Sequence, residues 1–509
     1  MKQGDRQQNK KKHDNTKHDN TKHDNTKHDN IRQAGKQENI RKKGANREFA
    51  AVTYMFLLMF LLMMAYFAYF QVFRSEDVIN SPYNKRQDTF SEHVVRGEII
   101  SADEKTLAQT IVNEDGSESR DYPYGAMFAH AVGYDVNGKA GIESFANFNL
   151  LRSHAFFMEQ ILNGIQDQKS PGDNVITTLN YELQKTAYDA LGDRNGAVIV
   201  IEPSTGKILA MVSKPDFNPN SISQDWDSII SDENNSVLLN RVTQGLYPPG
   251  STFKIFTTLE YIRENPDYAE YSYECTGSIT EEDLEIHCAG GGVHGQEDLI
   301  SSFANSCNTS YANIGRSLDK SSFAKLCNSL LFNTDLPIAY PYKHSSFVLN
   351  GETGNTMAMQ TAIGQGETLM TPLHMALITC AIANDGTLMN PYVLDHTENY
   401  KGVVVKNYKP SAYGIIFNSS ECALLSEYME RVVAEGTAKR LSGEAYTAAG
   451  KTGSAEYSND KSSTHAWFTG YAYTEEKGKL AVTVIVEGGG SGSKAAVPIA
   501  KTIFDTYFQ

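Results

Sequence analysis

The longest apolar stretch of the chain covers residues 49–73 and contains no charged side chain. As a helix, these 25 residues would measure about 37 Å, which exceeds the roughly 30 Å hydrocarbon core of a bilayer. A cleaved signal peptide has a shorter apolar region followed by small residues, whereas Tyr66, Phe67, Tyr69 and Phe70 occupy that place here. The pattern therefore predicts a single transmembrane anchor helix that stays attached.

Shorter apolar segments after residue 90 alternate between the periods of strands and helices and predict an α+β structure. Residues 196–211 form two β-rich runs joined by Pro203-Ser204-Thr205-Gly206, which is typical of a hairpin. Further strands are predicted at 448–456, 466–471 and 480–486, and helices at 299–318, after Thr371 and at 495–508. This order predicts an antiparallel sheet flanked by helices, with a loop in the glycine-rich segment from Cys275 to His294.

Residues 1–48 are of low complexity, with Thr-Lys-His-Asp-Asn recurring in tandem between His13 and Asn30. The segment has almost nothing apolar to bury and is predicted to be disordered. The domain boundaries that follow are a tail at 1–48, an anchor helix at 49–73, a turn-rich α+β module at 74–170 and a larger domain at 171–509.

Charge is unevenly distributed along the chain. The tail carries 14 Lys or Arg and 7 Asp or Glu, whereas the whole chain has a net charge of −15. A basic segment beside an apolar one stays in the cytoplasm, so we expect everything after Arg74 to lie outside the cell membrane. The strongly acidic remainder argues against nucleic acid as a partner.

Six cysteines in 509 residues are too few for a disulfide framework. Cys275 and Cys288 are close enough in sequence to pair in an oxidising compartment, and with His287 and His294 they raise the alternative of a zinc site. The spacing fits no common zinc pattern, so we expect no metal and no cofactor.

One stretch combines turn residues with candidate chemistry. Pro248-Pro249-Gly250 stops any preceding element, and the residues that follow predict a helix beginning at or just before Ser251. Lys254 is three residues on, within reach of the serine oxygen on a helix. A serine needs a base to become a strong nucleophile, and a lysine with a lowered pKa can serve. A lone Ser-x-x-Lys is, however, often only a helix cap and a solvated charge.

Two further motifs change that interpretation. Ser306-Cys307-Asn308 and Lys451-Thr452-Gly453 follow downstream. All three motifs, in this order, resemble those of penicillin-binding proteins and serine β-lactamases.

The segment before the nucleophile resembles the amino-terminal pedestal of class B penicillin-binding proteins. The resemblance rests on Arg96-Gly97, Leu107-Ala108, residues 122–134, Gly141-Ile142-Glu143, 177–184 and 196–211. It departs from the family at Ser101-Ala102-Asp103, where an aspartate–arginine pair is usual. Arg96 and Glu143 either form a structural ion pair or are exposed, and His130 is interpreted as structural.

The resemblance implies a penicillin-binding transpeptidase domain with a serine β-lactamase-like fold at 171–509, preceded by a dimerisation-type pedestal. It implies a peptidoglycan D,D-transpeptidase that acts on stem peptides ending in D-Ala-D-Ala and is inhibited covalently by β-lactams. Ser251 would be the nucleophile and Lys254 the base, assisted by Ser306 and Asn308. The terminal carboxylate would be bound by Lys451, Thr452, Gly453 and Ser454.

Three other functions share the motifs: a D,D-carboxypeptidase, a β-lactamase or β-lactam sensor, and a catalytically silent scaffold. The anchor and pedestal argue against a β-lactamase, and the tail has no His-Glu-x-x-His protease motif of a sensor. Residues 74–95 leave no room for a glycosyltransferase domain. The resemblance therefore implies a separate membrane partner, a SEDS-family glycosyltransferase.

Overall fold

The computed structural model of the protein describes residues 15–74, 91–155, 159, 163, 165–166, 168–232, 235–457 and 464–509. The chain forms two compact units, Met1–Ser81 and Pro82–Gln509.

The described residues of the N-terminal unit form one long helix, α1 (Asn15–Tyr69), that ends in a π-helical turn, Phe70–Arg74. Within the described residues, only the segment Arg47–Tyr69 is long and apolar enough to cross a membrane. The helix continues back to Asn15, which differs from the disorder predicted for residues 15–48. Once an apolar helix has formed, extending it costs no new nucleus, and the tail has no proline to stop it. Residues 1–14 of the predicted tail lie outside the described residues.

The second unit contains helices and strands throughout. Its α-helices are α2 (Ala129–Val132), α3 (Gly141–Phe145), α4 (Asn147–Leu150), α5 (Tyr181–Leu191), α6 (Ile222–Ser231), α7 (Lys254–Glu264), α8 (Leu299–Ala304), α9 (Asn308–Ser317), α10 (Lys320–Ser329), α11 (Asn355–Ala362), α12 (Pro372–Ala383), α13 (Ser419–Ala434) and α14 (Gly492–Phe508). Its strands are β1 (Val94–Val95), β2 (Ile99–Ile100), β3 (Thr106–Val112), β4 (Glu118–Asp121), β5 (Ser170–Pro171), β6 (Asn174–Thr177), β7 (Gly196–Ile201), β8 (Ile208–Lys214), β9 (Tyr273–Cys275), β10 (Ser278–Glu281), β11 (Leu284–His287), β12 (Gly295–Glu297), β13 (Thr387–Met389), β14 (Leu394–Glu398), β15 (Val404–Asn407), β16 (Ala412–Ile415), β17 (Thr447–Glu456), β18 (Thr464–Thr474) and β19 (Gly478–Val486).

A five-stranded antiparallel sheet in the order β17-β18-β19-β7-β8 forms the centre of this unit. The predicted hairpin at 196–211 is confirmed as β7 and β8. Helices α5 and α14 pack against the sheet and each other, as do α12 and α13. Helix α12 is buried along its whole length, begins with Pro372 and is capped by the Thr371 side chain. The sheet therefore places β17, with its Lys-Thr-Gly motif, at one edge.

A second sheet, in the order β15-β14-β6-β2-β3-β4, joins distant parts of the chain. Strand β6 pairs in parallel with β2, where Val175 lies opposite Ile99. On its other side β6 pairs with β14, where Thr177 lies opposite Leu394. The sheet thus draws strands from both sides of the boundary predicted at residues 170 and 171.

A buried charged cluster holds the pedestal segment together. The carboxylate of Glu143 accepts hydrogen bonds from Arg96 Nε at 2.6 Å and Arg120 Nε at 2.7 Å, and all three side chains are buried or nearly so. Of the two alternatives for Arg96 and Glu143, the structure has the ion pair. Asp103, in the segment that departs from the family pattern, accepts from the backbone N–H of Tyr181 at 2.9 Å.

The prediction of a loop from Cys275 to His294 is wrong. Strands β10 and β11 form a hairpin within it, and Ile279 faces Ile286, which is buried. Strand β9 pairs with β12 through Cys275 and Gly295. The glycine-rich composition hid two short strands that are stabilised by this cross-strand apolar pair.

Candidate active site

The nucleophile motif begins in a 3₁₀ turn, Gly250–Phe253, which leads into α7 at Lys254. A helix beginning at or just before Ser251 was predicted, and its first turn is the tighter 3₁₀ form, in which residues i and i+3 lie on the same side. Gly250 has φ +54°, and a Cβ there would lie 2.8 Å from the carbonyl oxygen of Ser454. The turn therefore packs directly against β17.

Lys254 is completely buried and surrounded by acceptors. Its Nζ donates to the Ser306 carbonyl at 2.7 Å, to Asn308 Oδ1 at 2.9 Å and to Ser306 Oγ at 3.3 Å. Burial lowers the pKa of Lys254 to about 8, against an opposing effect of Cys307, Cys288 and Glu297. Such a lysine gives up its proton near neutral pH, as a general base must.

Lys451 reaches the same serine from the other side. Its Nζ donates to Ser306 Oγ at 2.9 Å, and the side chain is completely buried. Burial, followed by the positive charge of Lys254, lowers the pKa of Lys451 well below the usual lysine value. Two buried lysine amines thus donate to one hydroxyl.

Ser306 is held in an unusual backbone conformation, with φ +57°. Left-handed φ values are uncommon outside glycine and often mark functional sites. The next residue, Cys307, caps α9, and Asn308 begins that helix. Asn308 also donates through Nδ2 to the carbonyl of His287 at 3.0 Å. The Ser-x-Asn motif is therefore fastened both to Lys254 and to the end of β11.

The Lys-Thr-Gly motif lies on β17, opposite Trp467 to Thr469 of β18. A Cβ at Gly453 would lie 3.1 Å from the Pro249 carbonyl, so glycine permits this close approach. Thr452 is buried with its hydroxyl 2.5 Å from that of Thr437. Ser454 is exposed on a groove of about 1040 Å³, which is also lined by Glu285, His287, Asn308, Gln360 and Glu456.

Comparison with known families matches residues 196–505 to the penicillin-binding protein transpeptidase domain, which is more than half of the chain. The chain belongs to this family. Residues 96–175 match the penicillin-binding protein A dimerisation domain. The resemblance to class B penicillin-binding proteins is confirmed.

Curated relatives cover most of the chain. The peptidoglycan D,D-transpeptidase PbpA of Mycolicibacterium smegmatis is 29% identical over 491 residues, covering 90% of this chain and 98% of its own length. The peptidoglycan D,D-transpeptidase MrdA of Acinetobacter baumannii is 26% identical, covering 76% of this chain and 66% of its own.

Among solved structures, the ceftriaxone acyl-enzyme complex of penicillin-binding protein A from M. tuberculosis superimposes with a TM-score of 0.75. It is 25% identical, and the match covers 83% of this chain and all of that one. The predicted fold class, an α+β penicillin-binding transpeptidase domain with a pedestal, is confirmed. The curated and structural relatives agree on one family over the pedestal and the large domain.

Within this family's fold, four of the eight predicted site residues are joined directly by hydrogen bonds: Lys254, Ser306, Asn308 and Lys451. Packing of the 3₁₀ turn against β17 brings Gly250 to Ser454 and Thr252 to Gly453, and these are the residues on either side of Ser251.

A second cluster of chemically active groups lies beside these residues, and the sequence analysis named three of its four members but expected no metal there. The cysteine–histidine cluster brings four ligand atoms within 4.8 Å of one another, from Cys275, Cys288, His294 and Cys307. His287, which the sequence also suggested as a ligand, is exposed and lies outside it. The signal for the fourth member was Cys307 itself, because it lies inside the Ser306-Cys307-Asn308 motif and so places a thiol at the catalytic centre.

Proposed function

We propose that this protein is a serine-type peptidoglycan D,D-transpeptidase that cross-links stem peptides through an acyl-enzyme on Ser251 and is blocked covalently by β-lactams. The observation that carries the proposal is the buried pair Lys254 and Lys451, whose amines converge on Ser306 Oγ. Two buried cations around one hydroxyl cost stability and are typical of a functional site. The curated relatives with D,D-transpeptidase names and the acyl-enzyme structures support the same reaction.

Acylation begins when neutral Lys254 takes the hydroxyl proton of Ser251 and the Ser251 oxygen attacks the carbonyl carbon of the penultimate D-Ala. The lowered pKa of Lys254 supports this role, because a charged lysine cannot accept a proton. The backbone N–H groups of Ser251 and Ser454 stabilise the resulting oxyanion. One such donor is typically worth about 2.7–4 kcal/mol in the transition state.

The peptide bond then breaks, and the departing D-Ala amine receives a proton through Ser306 Oγ. This hydroxyl accepts from Lys451 and Lys254 and so connects both amines to the leaving group. An amine of a second stem peptide next attacks the acyl-enzyme, which forms the cross-link and releases Ser251. The same groups act in reverse order in this half of the reaction.

Lys451, Thr452, Gly453 and Ser454 bind the terminal carboxylate of the stem peptide. The carboxylate keeps Lys451 protonated, and the repulsion between the two ammonium groups then favours neutral Lys254. Substrate binding therefore prepares the base. Asn308 holds Lys254 and the substrate amide in register through its side-chain amide.

The anchor helix places the enzyme at the cell membrane. We infer that the basic tail lies in the cytoplasm and the catalytic unit outside, because Lys and Arg flank the cytoplasmic end of membrane helices. A SEDS-family glycosyltransferase is the proposed partner that supplies glycan strands, contacted through the anchor and the pedestal.

The test is to incubate the full-length protein in detergent with a pentapeptide ending in D-Ala-D-Ala and an amine acceptor. We expect release of D-Ala together with a cross-linked product, and neither with Ser251→Ala. Release of D-Ala without cross-linked product at saturating acceptor would identify a D,D-carboxypeptidase. A folded wild-type protein that releases no D-Ala would contradict the proposal and favour the scaffold.

A further inference from the structure

Four side chains of the cysteine–histidine cluster come from four separate places in the chain. Cys275 ends β9, Cys288 follows β11, His294 precedes β12, and Cys307 caps α9. All three sulfurs are buried, and no cysteine of the described residues forms a disulfide. A cluster of this composition inside a protein is either a metal site, a set of redox-active thiols or simple packing.

Three of the distances within the cluster are close to those of a tetrahedral metal site, and all four ligand atoms lie within 4.8 Å of one another. With zinc–sulfur bonds of about 2.3 Å and tetrahedral angles, two sulfur ligands lie about 3.7–3.8 Å apart. The Sγ atom of Cys288 lies 3.7 Å from Cys275 Sγ and 3.7 Å from Cys307 Sγ. The Nδ1 atom of His294 lies 3.3 Å from Cys275 Sγ, close to the roughly 3.5 Å that zinc–nitrogen bonds of about 2.0–2.1 Å would give.

A disulfide fits the same atoms less well. A disulfide requires about 2.05 Å between sulfurs, and Cys288 is equally far from two candidate partners. Any single disulfide would also leave the third buried thiol and His294 unexplained. Four ligands around one point use all of these groups.

The surroundings of the sulfurs suit thiolates. The Thr309 hydroxyl lies 3.3 Å from both Cys275 Sγ and Cys307 Sγ, and 3.6 Å from Cys288 Sγ. The backbone N–H of Ser310 donates to Cys307 Sγ at 3.4 Å. Hydrogen bonds of this kind from outside the ligand set orient the ligands of metal sites.

We propose that the cysteine–histidine cluster is a structural Zn²⁺ site that fastens the hairpin region, residues 273–297, to the Ser-x-Asn motif. Three thiolates and one imidazole select zinc among common divalent cations, and four protein ligands leave no open position for catalysis by the metal. Because Cys307 lies between Ser306 and Asn308, the metal would hold both residues in position. It would also fix the His287 carbonyl to which Asn308 donates.

The test uses the full-length protein, purified in detergent under reducing conditions and passed over a column to remove loosely held metal. We expect one zinc ion per chain by mass spectrometry of the metal. Cys275→Ser and His294→Ala should lose it, whereas the matched controls Cys422→Ser and His287→Ala should keep it. Wild-type protein loaded with Co²⁺ should have the absorption of a tetrahedral thiolate site, and this readout needs no variant to fold.

Two results would overturn the site: a wild-type protein that takes up neither zinc nor Co²⁺ after full reduction, or an isolated protein in which two cluster cysteines are joined in a disulfide that excludes metal. The positioning role rests on the proposed function, whereas the metal content does not. If zinc positions Ser306 and Asn308, its loss should slow acylation by a fluorescent penicillin roughly tenfold or more. A zinc-loaded wild type that forms no penicillin adduct would contradict the proposed function but not the metal site.

Discussion

The pedestal segment and the catalytic groove both bury charged side chains, but the two clusters are assembled in opposite ways. In the pedestal, the Glu143 carboxylate lies between the guanidinium groups of Arg96 and Arg120. In the groove, the ammonium groups of Lys254 and Lys451 point at one neutral hydroxyl. The first cluster pairs opposite charges and the second does not. Removing one partner of a buried ion pair leaves an uncompensated charge and destabilises the fold, whereas buried groups with shifted pKa values are typical of sites of proton transfer.

The titration of the two clusters differs accordingly. The pKa of Glu143 is lowered because Arg120 and Arg96 together overcome the effect of burial, which alone would raise it. The pKa of Lys254 is lowered because burial itself disfavours the charged form. Removing a charge should therefore cost stability in the pedestal and activity in the groove.

The largest effect is expected from Lys254→Met. Loss of the base should slow acylation by penicillin about 10²–10⁴-fold. Thermal stability should change little, because the released desolvation cost of the cation opposes the hydrogen bonds lost at Ser306 and Asn308. Stopped labelling reactions and a melting curve on the same sample measure both quantities. If the variant is acylated at the wild-type rate, Lys254 is not the base.

Glu143→Gln should have the opposite effect to Lys254→Met: it should lower stability and leave acylation unchanged. Two buried guanidinium groups would lose their counter-charge, so the free energy of unfolding should fall by about 3–5 kcal/mol. Denaturant titration measures this loss, and the labelling rate of the molecules that remain folded should be unchanged. The control is Glu118→Gln, which removes a partly exposed ion pair with Lys169 and should cost about 0–1 kcal/mol. Equal losses in the two variants would contradict the account of the pedestal.

The pH dependence of the acylation rate tests the role of Lys254 in the groove, with a smaller expected effect than the two substitutions. Acylation should rise about tenfold per pH unit up to a pKa of about 8 and then level off, because only neutral Lys254 accepts a proton. Lys451, Cys307, Cys288 and Glu297 also act on this amine, so the measured value belongs to the group as a whole. A rate that is constant between about pH 6 and pH 9 would contradict this assignment.

Stability should rise with pH at both clusters, but in two separate pH windows. The contribution of Glu143, whose folded pKa is lowered, is complete above its unfolded pKa of about 4.5 and is lost as the pH falls further. Lys254 binds its proton more tightly in the unfolded chain, so its cost to stability declines as the pH rises from about 8 towards 10.5. Unfolding titrations of wild type, Glu143→Gln and Lys254→Met separate these two windows.

The sequence predicted the fold where patterns are local. The hairpin of β7 and β8, the strands β17 to β19 and the capped start of α12 follow from apolar alternation and turn residues. It did not predict that β14 pairs with β6, because that pairing joins residues more than two hundred positions apart. It also missed β10 and β11, whose short apolar pair is concealed among polar residues.

The motifs of the site could be predicted from the sequence, but the arrangement of their side chains could not. Ser251, Lys254, Ser306 and Lys451 stood out because their motifs occur together in order. The 3₁₀ turn at Gly250–Phe253, the positive φ of Ser306 and the convergence of both lysine amines on Ser306 Oγ depend on tertiary packing. Three members of the cysteine–histidine cluster were considered as zinc ligands and set aside because their spacing is unfamiliar, and Cys307 joins them only when β9, β12 and α9 fold together.

The central claim is that Ser251 carries the acyl group. The most direct measurement is to label the full-length protein with a fluorescent penicillin, denature it and map the labelled peptide by mass spectrometry. Wild type and a control, Ser228→Ala on the exposed side of α6, should carry the label on the peptide that contains Ser251, and Ser251→Ala should carry none. Label that persists in Ser251→Ala, or that maps to another residue, would contradict the account.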